Sequence, residues 1–298
     1  MKQMKGLFAE KPASTQFAVL ILLVVAGLFF STLLGGILIL TKVAAYPDIM
    51  RLVQFIASVG TFLLPALGMA WLCSKNPRDY LSIGKAPGGT VVFYLLLAYL
   101  LLSPLMSLTQ YLNMQMTLPD FMQPVENWMR EQEDIAEEMT LLLLSDSTPL
   151  RLLANIFVIA VTAAVVEEFL FRGAVQRVLE RRITNPHLVI WITAVLFSAI
   201  HLQFYGFIPR LLIGAYLGYL LLWSRNIWIP VFAHFLNNGV AVIGMSNSKL
   251  KDMEYFNGEL NAEHLAFYIL ATVVSGLLLI PLFQNLKKKV LKQHSVTL

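Results

Sequence analysis

Residues 17–40 read FAVLILLVVAGLFFSTLLGGILIL, a run without one charged side chain. A helix rises about 1.5 Å per residue and the hydrocarbon core of a bilayer is about 30 Å thick, so this run can cross it once. Lys2, Lys5 and Lys11 precede it. It is far longer than the roughly 7–15 apolar residues of a secretory signal, and no clear cleavage site follows, so it is expected to remain as the first span.

Outward from this run, apolar stretches recur at about 52–73, 91–113, 151–171, 187–202, 208–224, 227–245 and 264–284, with the fourth continuing as a polar helix towards Arg182. The whole chain of 298 residues agrees, with 57% hydrophobic and 13% charged residues and a mean hydropathy of +0.69. A soluble domain carries about a quarter charged residues. The expected fold class is all-α: a polytopic integral membrane helix bundle of about eight transmembrane helices. It is read as a single domain over 1–298, without internal repeat or linker. The lone Cys73 excludes an internal disulfide and a cysteine metal cluster, and its apolar neighbours mark it as a packing residue.

The sequence pI of 9.1 does not point to nucleic acid, because the basic residues lie scattered in short loops with no interleaved aromatics and no phosphate-binding glycine loop. They order the membrane instead. With the N-terminus inside, the inner segments hold fifteen of the 22 basic residues, including Lys2, Lys75, Arg78, Lys85, Arg172, Arg177, Arg181, Arg182, Arg225 and Lys287 to Lys289 with Lys292. The outer side holds Lys42, Arg51, Arg130, Arg151, Arg210, Lys249 and Lys251. Positive charge concentrates on the cytoplasmic side, so both termini are expected there, in a bacterial inner (plasma) membrane.

The segment 118–147 differs in character. It carries Asp120, Glu126, Glu131, Glu133, Asp134, Glu137, Glu138 and Asp146 against Arg130 alone, with Phe121, Val125, Trp128, Met129, Ile135 and Met139 at helical spacing. It is expected to be an amphipathic helix on the outer face, with a solvated connector as the plainer alternative.

Ionisable groups inside a bilayer are costly and invite a functional explanation. The fourth stretch contains Glu167 and Glu168 with Arg172. Adjacent carboxylates point about 100° apart on a helix, so the two cannot share one task. Glu168 and Arg172 stand four apart in the favoured order for an ion pair, which leaves Glu167 as the candidate base and the other two as its frame. One buried polar cluster holding helices together is the blander account. The fifth stretch carries Phe197 and His201, one turn apart; a lone histidine at a helix end is commonly just interfacial. The seventh carries His234 and Asn238 on one face, where two donors could hold one tetrahedral oxyanion. Asn237 points elsewhere and suits a helix-to-helix hydrogen bond.

Glu-Glu-x-x-x-Arg at 167–172, Phe-x-x-x-His at 197–201 and His-x-x-x-Asn at 234–238 together resemble the CPBP family, the CAAX proteases and bacteriocin-processing enzymes also called Abi proteins. The resemblance covers roughly residues 150–245 and implies a glutamic-type intramembrane endopeptidase. By its pattern Glu167 and His201 would hold and deprotonate a water. His234 and Asn238 would form the oxyanion hole, and Glu168, Arg172 and Phe197 would support them. The implied partners are membrane lipid and a peptide or membrane-protein substrate, which in the family's best understood members is prenylated.

No cofactor is expected. Zinc is the alternative, with Glu167, His201 and His234 as three ligands and one open position, but no His-Glu-x-x-His helix is present. A non-enzymatic scaffold, immunity or regulatory protein of the same fold is the rival from another class. A transporter is weaker, since no inverted repeat appears. Gly214 and Gly218 read as a close helix-packing face.

Overall fold

A computed structural model describes residues 4–145, 148–257 and 260–295; Lys2, Asp146 and the side chain of Lys292 lie outside what it describes. The described residues form helices and no strands. In chain order the principal helices are α1 (Ala13–Thr41), α2 (Tyr46–Cys73), α3 (Gly89–Met114), α4 (Gln123–Leu144), α5 (Pro149–Glu180), α6 (Pro186–Ala199), α7 (Phe207–Ser224), α8 (Trp228–Ser246) and α9 (Leu265–Ser295). Proline opens several of them, at Pro47, Pro149 and Pro186, where its fixed φ suits the first turn and no amide hydrogen is missed.

Among the described residues seven helices are long and apolar enough to cross a membrane, and the protein is a polytopic helical membrane bundle. The eighth expected crossing, at 187–202, is shorter than the others. Its helix α6 has 14 residues, about 21 Å, and stops at Ala199. Such a helix alone falls short of a hydrocarbon layer of about 30 Å, and His201 lies just beyond its far end. The connecting segment 200–206, turn residues followed by the 3-10 turn Phe204–Gly206, leaves backbone groups that a membrane bundle tolerates only where protein satisfies them. Here they are satisfied. Asn113 of α3 donates to the Phe204 carbonyl at 2.9 Å and accepts from the Ile208 amide at 2.7 Å, while Gln110 donates to the Tyr205 carbonyl. Glu133 of α4 accepts from the Tyr205 amide at 3.2 Å, and Ser198 donates to the Phe207 carbonyl.

α1 packs along α2, α6 along α7, α9 along α3, and α8 against the first half of α5. Close approach is achieved with glycine. A Cβ on Gly27 of α1 would stand 2.1 Å from the carbonyl oxygen of Gly60 in α2, so these helices cross backbone against backbone. Gly218 serves α7 in the same way, its missing Cβ leaving room for Ile190 of α6. Among the described residues three stretches are π-helical: Val59–Leu63 within α2, and Ile156–Thr162 and Phe169–Val175 within α5. Such turns recur at functional sites, and the two in α5 bracket the short α-helical stretch Ala163–Glu168 that carries both carboxylates.

The acidic segment forms the 3-10 turn Asp120–Met122 and the helix α4. Glu126 is buried in α4, accepting from the Leu118 amide at 2.8 Å and from Arg130 at 2.6 Å, and these donors hold its carboxyl below the ordinary range. Phe121, Val125, Trp128 and Ile135 are exposed, an apolar face suited to a membrane interface. Two basic residues expected in outer loops are placed otherwise. Arg51 is buried, donating to Asn155 of α5 and to the Leu143 carbonyl of α4 while pairing with Asp48. Arg210 lies in the first turn of α7 beside the segment 200–206. Arg172, counted with the inner loops, is fully buried in the bundle.

Candidate active site

The three sequence motifs meet at one place. Glu167 and Glu168 come from α5, His201 from just past α6, and His234 and Asn238 from successive turns of α8. The Glu167 Oε2 atom lies 3.9 Å from His201 Nε2 and 3.8 Å from His234 Nε2. That oxygen is buried and accepts no hydrogen bond from the protein.

Each histidine is fixed through its other nitrogen. His201 Nδ1 lies 2.8 Å from the Phe197 carbonyl, which can only accept, so Nδ1 carries the hydrogen and Nε2 faces Glu167 with its lone pair. His234 Nδ1 lies 2.9 Å from Glu168 Oε1. Asn238 Nδ2 reaches both the Ile159 carbonyl and His234 Nε2 at 3.2 Å, while its Oδ1 accepts from Asn237. The carbonyl of Ile159 sets the amide's orientation, so Asn238 donates to His234 Nε2 and that nitrogen is the acceptor. Ile159 lies in the π-helical stretch Ile156–Thr162, where the regular carbonyl ladder is widened.

Glu168 is the centre of the support. Its second oxygen stands 3.1 Å from Arg172 Nε, with both side chains fully buried. The contact is an ion pair without good hydrogen-bond alignment, since both atoms lack a hydrogen-bonded partner. Arg172 also donates to the Gly214 carbonyl of α7 at 2.7 Å and lies 4.8 Å from the centre of the Phe197 ring. Phe197 in turn makes T-shaped contacts with His201 and His234, with ring centres 5.2 and 5.8 Å away. One aromatic thus packs against both histidines and the buried cation, which gives the phenylalanine of the Phe-x-x-x-His spacing a physical role.

The expected ion pair is present but incomplete as an account, because Glu168 also orients His234. The expected pair of oxyanion donors is not aimed outward in this arrangement, since Asn238 spends its hydrogens on Ile159 and His234. Asn237 bonds its neighbour rather than another helix, and it lines a mostly apolar cavity of about 50 Å³ with Tyr99, Tyr216 and Tyr255.

Among the described residues, no group of three or more His, Cys, Asp or Glu is disposed to hold a metal ion. The His234 lone pair that zinc would need already accepts from Asn238. Arg210 was not expected near this site. Its guanidinium bonds the carbonyl and side chain of Gln203, two residues after His201. Nothing in its sequence neighbourhood separates it from an ordinary loop cation.

Residues 149–240 match the family described as type II CAAX prenyl endopeptidase Rce1-like. A stretch of 94 residues is 29% identical to "Uncharacterized protein YpbD" of Bacillus subtilis (strain 168), covering 30% of this chain and 45% of that protein. The match therefore spans less than half the length of that relative. No solved structure is significantly similar to the chain. All seven motif residues fall inside 149–240, and over that segment the chain is similar to the Rce1-like CAAX endopeptidases, in keeping with the CPBP resemblance carried by its motifs.

Proposed function

We propose that this protein is an intramembrane endopeptidase that hydrolyses peptide bonds with a water activated by Glu167 and His201. The observation that carries the proposal is the placement of Glu167 Oε2, buried and facing the Nε2 atoms of two histidines whose other nitrogens are pinned. A water there gives a proton to Glu167 while its oxygen attacks the scissile carbonyl, and the carbonyl π pair moves onto oxygen.

For His234 to donate to the oxyanion it must carry a proton on Nε2, the nitrogen that accepts from Asn238 in this arrangement. With that proton on His234 Nε2, the imidazolium sits against Glu168 and becomes a donor. Asn238 can then no longer donate to Nε2, so its N–H is released. The same proton thus arms His234 and frees Asn238, and both donate to the oxyanion as it forms. Collapse of the tetrahedral intermediate breaks the C–N bond, and the proton held by Glu167 passes to the leaving amine. The products are a carboxylic acid and a free amine.

The route uses no metal, and the protein purified without chelator is expected to hold no stoichiometric zinc and to keep its activity in EDTA. Tight zinc at one per chain would support the three-ligand alternative. The decisive test is proteolysis by wild-type and Glu167→Gln protein in liposomes against prenylated and unmodified peptides. Cleavage by wild type alone is expected. Cleavage by both removes Glu167 from the mechanism, and cleavage by neither shifts weight to a scaffold of the same fold. The membrane is proposed to be a bacterial inner membrane with both termini cytoplasmic.

A further inference from the structure

Asn237 stands midway along α8, where an apolar side chain would fit its surroundings better. It lines a cavity of about 50 Å³ whose walls include Leu95, Leu102, Ile213 and Leu217. The hydroxyls of Tyr99 and Tyr255 in the same cavity bond each other. Among the described residues the Asn237 side chain bonds one group, Oδ1 of Asn238, at 3.1 Å. A polar group kept inside a membrane bundle for a single contact asks for a functional account of that contact.

The two ends of a carboxamide are nearly equal in size, so its partners decide which end faces which way. For Asn238 three partners agree. The Ile159 carbonyl and the lone pair of His234 Nε2 each take an N–H at 3.2 Å, and Asn237 supplies a donor to the oxygen. Turnover as proposed above reverses one of the three. Once His234 carries hydrogen on Nε2, that nitrogen favours the opposite orientation, with Asn238 Oδ1 turned towards it. A carboxamide that flips in this way takes the His234 hydrogen for itself and turns its own N–H groups aside. The oxyanion then loses both donors. Two contacts resist the flip: the Ile159 carbonyl, which would meet an oxygen, and the Asn237 amide, which would meet an N–H.

We propose that Asn237 is a positioning residue of the oxyanion site: its Nδ2 atom holds the Asn238 oxygen, so that Asn238 and His234 both stay donors through the reaction. The proposal rests on the peptidase reading, and the test separates the two. Asn237→Leu, Asn237→Gln, Asn238→Ala and the double variant Asn237→Leu with Asn238→Ala are assayed in liposomes with the prenylated and unmodified peptides. Leucine has the branching of asparagine and matches the cavity walls, so Asn237→Leu should melt at or above the wild-type temperature. Its kcat should nevertheless fall about 3- to 10-fold, as expected for one neutral hydrogen bond, with KM unchanged. A packing role would move stability and rate down together. The double variant should be no slower than Asn238→Ala, since nothing is left to position. Asn237→Gln keeps a donor and should restore part of the rate.

Binding supplies a readout without turnover. Phosphinate analogues of the peptides carry a tetrahedral anion in place of one amide, at successive positions. Wild type should bind one of them more tightly than the parent peptide, and Asn237→Leu should reduce that preference about 3- to 10-fold. If wild type cleaves while Asn237→Leu keeps full kcat, changes KM alone, or adds its full loss to that of Asn238→Ala, the positioning role fails and the peptidase stands. A lowered melting temperature in Asn237→Leu assigns the residue to packing and overturns the proposal. So does wild type without preference for any analogue, or a preference that Asn237→Leu retains in full. If nothing is cleaved but the analogue preference appears and falls in Asn237→Leu, the peptidase fails and the positioning role stands.

Discussion

Glu168 has no exposed surface, and three groups depend on it: Arg172 by charge, His234 by a hydrogen bond, and Asn238 through His234. Removing one member of such a set leaves the other charge buried without compensation. Arg172→Met is therefore expected to destabilise the protein by about 3–5 kcal/mol in reversible unfolding, and the double change Glu168→Gln with Arg172→Met by less than the single one. Asn238→Ala leaves the ion pair intact and removes one donor, so kcat should fall on the order of 100-fold with a nearly unchanged melting temperature. Legibility at this scale followed cost. Glu167, Glu168, Arg172, His201, His234 and Asn238 stand out because they interrupt apolar stretches where ionisable and amide groups are expensive. Arg210 does not stand out, because it lies at the end of its stretch, where a cation ordinarily meets the interface. The second contact of Glu168 was also hidden, since a helix shows which residues share its own face but not which nitrogen of a distant histidine will arrive there.

Helices α6 and α7 set where His201 sits, and they meet at glycine. A Cβ on Gly218 would stand 2.8 Å from Ile190 Cγ2, and on Gly214 3.1 Å from Phe197. Gly218→Leu should push α6 away from α7, displace His201 and lose activity together with several degrees of melting temperature, whereas Gly276→Leu, with open space around it, should do neither. α4 is tied at its start by Glu126. A carboxyl held below its ordinary pKa adds stability that is complete above that ordinary value and lost as pH falls through the lowered one. Acidification below about pH 4.5 should loosen the start of α4 and separate Trp128 from Phe204, whose ring centres are 5.3 Å apart. Trp emission should report this in the wild type, and Glu126→Gln should remove the pH dependence. The apolar stretch at 187–202 was plain in the sequence, but the end of its helix at Ala199 was not. No proline or glycine marks that stop, and the turn beyond it is held by α3 and α4, which lie far away in sequence.

For the molecule as a whole, the alternation of apolar stretches carried the helix layout, because length and hydropathy are properties of the chain itself. The packing partners α3 with α9 and α8 with α5 were not visible, since an all-apolar surface can pack in many ways. With both termini proposed to be cytoplasmic, Lys85→Cys and Lys287→Cys in a Cys73→Ser background should react with an impermeant maleimide from the cytoplasmic side alone. Labelling of either from outside would invert the topology. The native thiol is buried and should react little before it is replaced.

The burial of Arg172 and Glu168 also bears on how the protein is made. The helix α5 that holds them is synthesised before α6, α7 and α8, which supply Phe197, the Gly214 carbonyl and His234. Each charged residue at the centre of a lone helix costs about 2.5–3.5 kcal/mol to leave in lipid. A nascent chain that has emerged only as far as the end of α5 is therefore poorly settled in the bilayer, exposed to quality-control proteolysis, and committed to the membrane only once the later helices close around it.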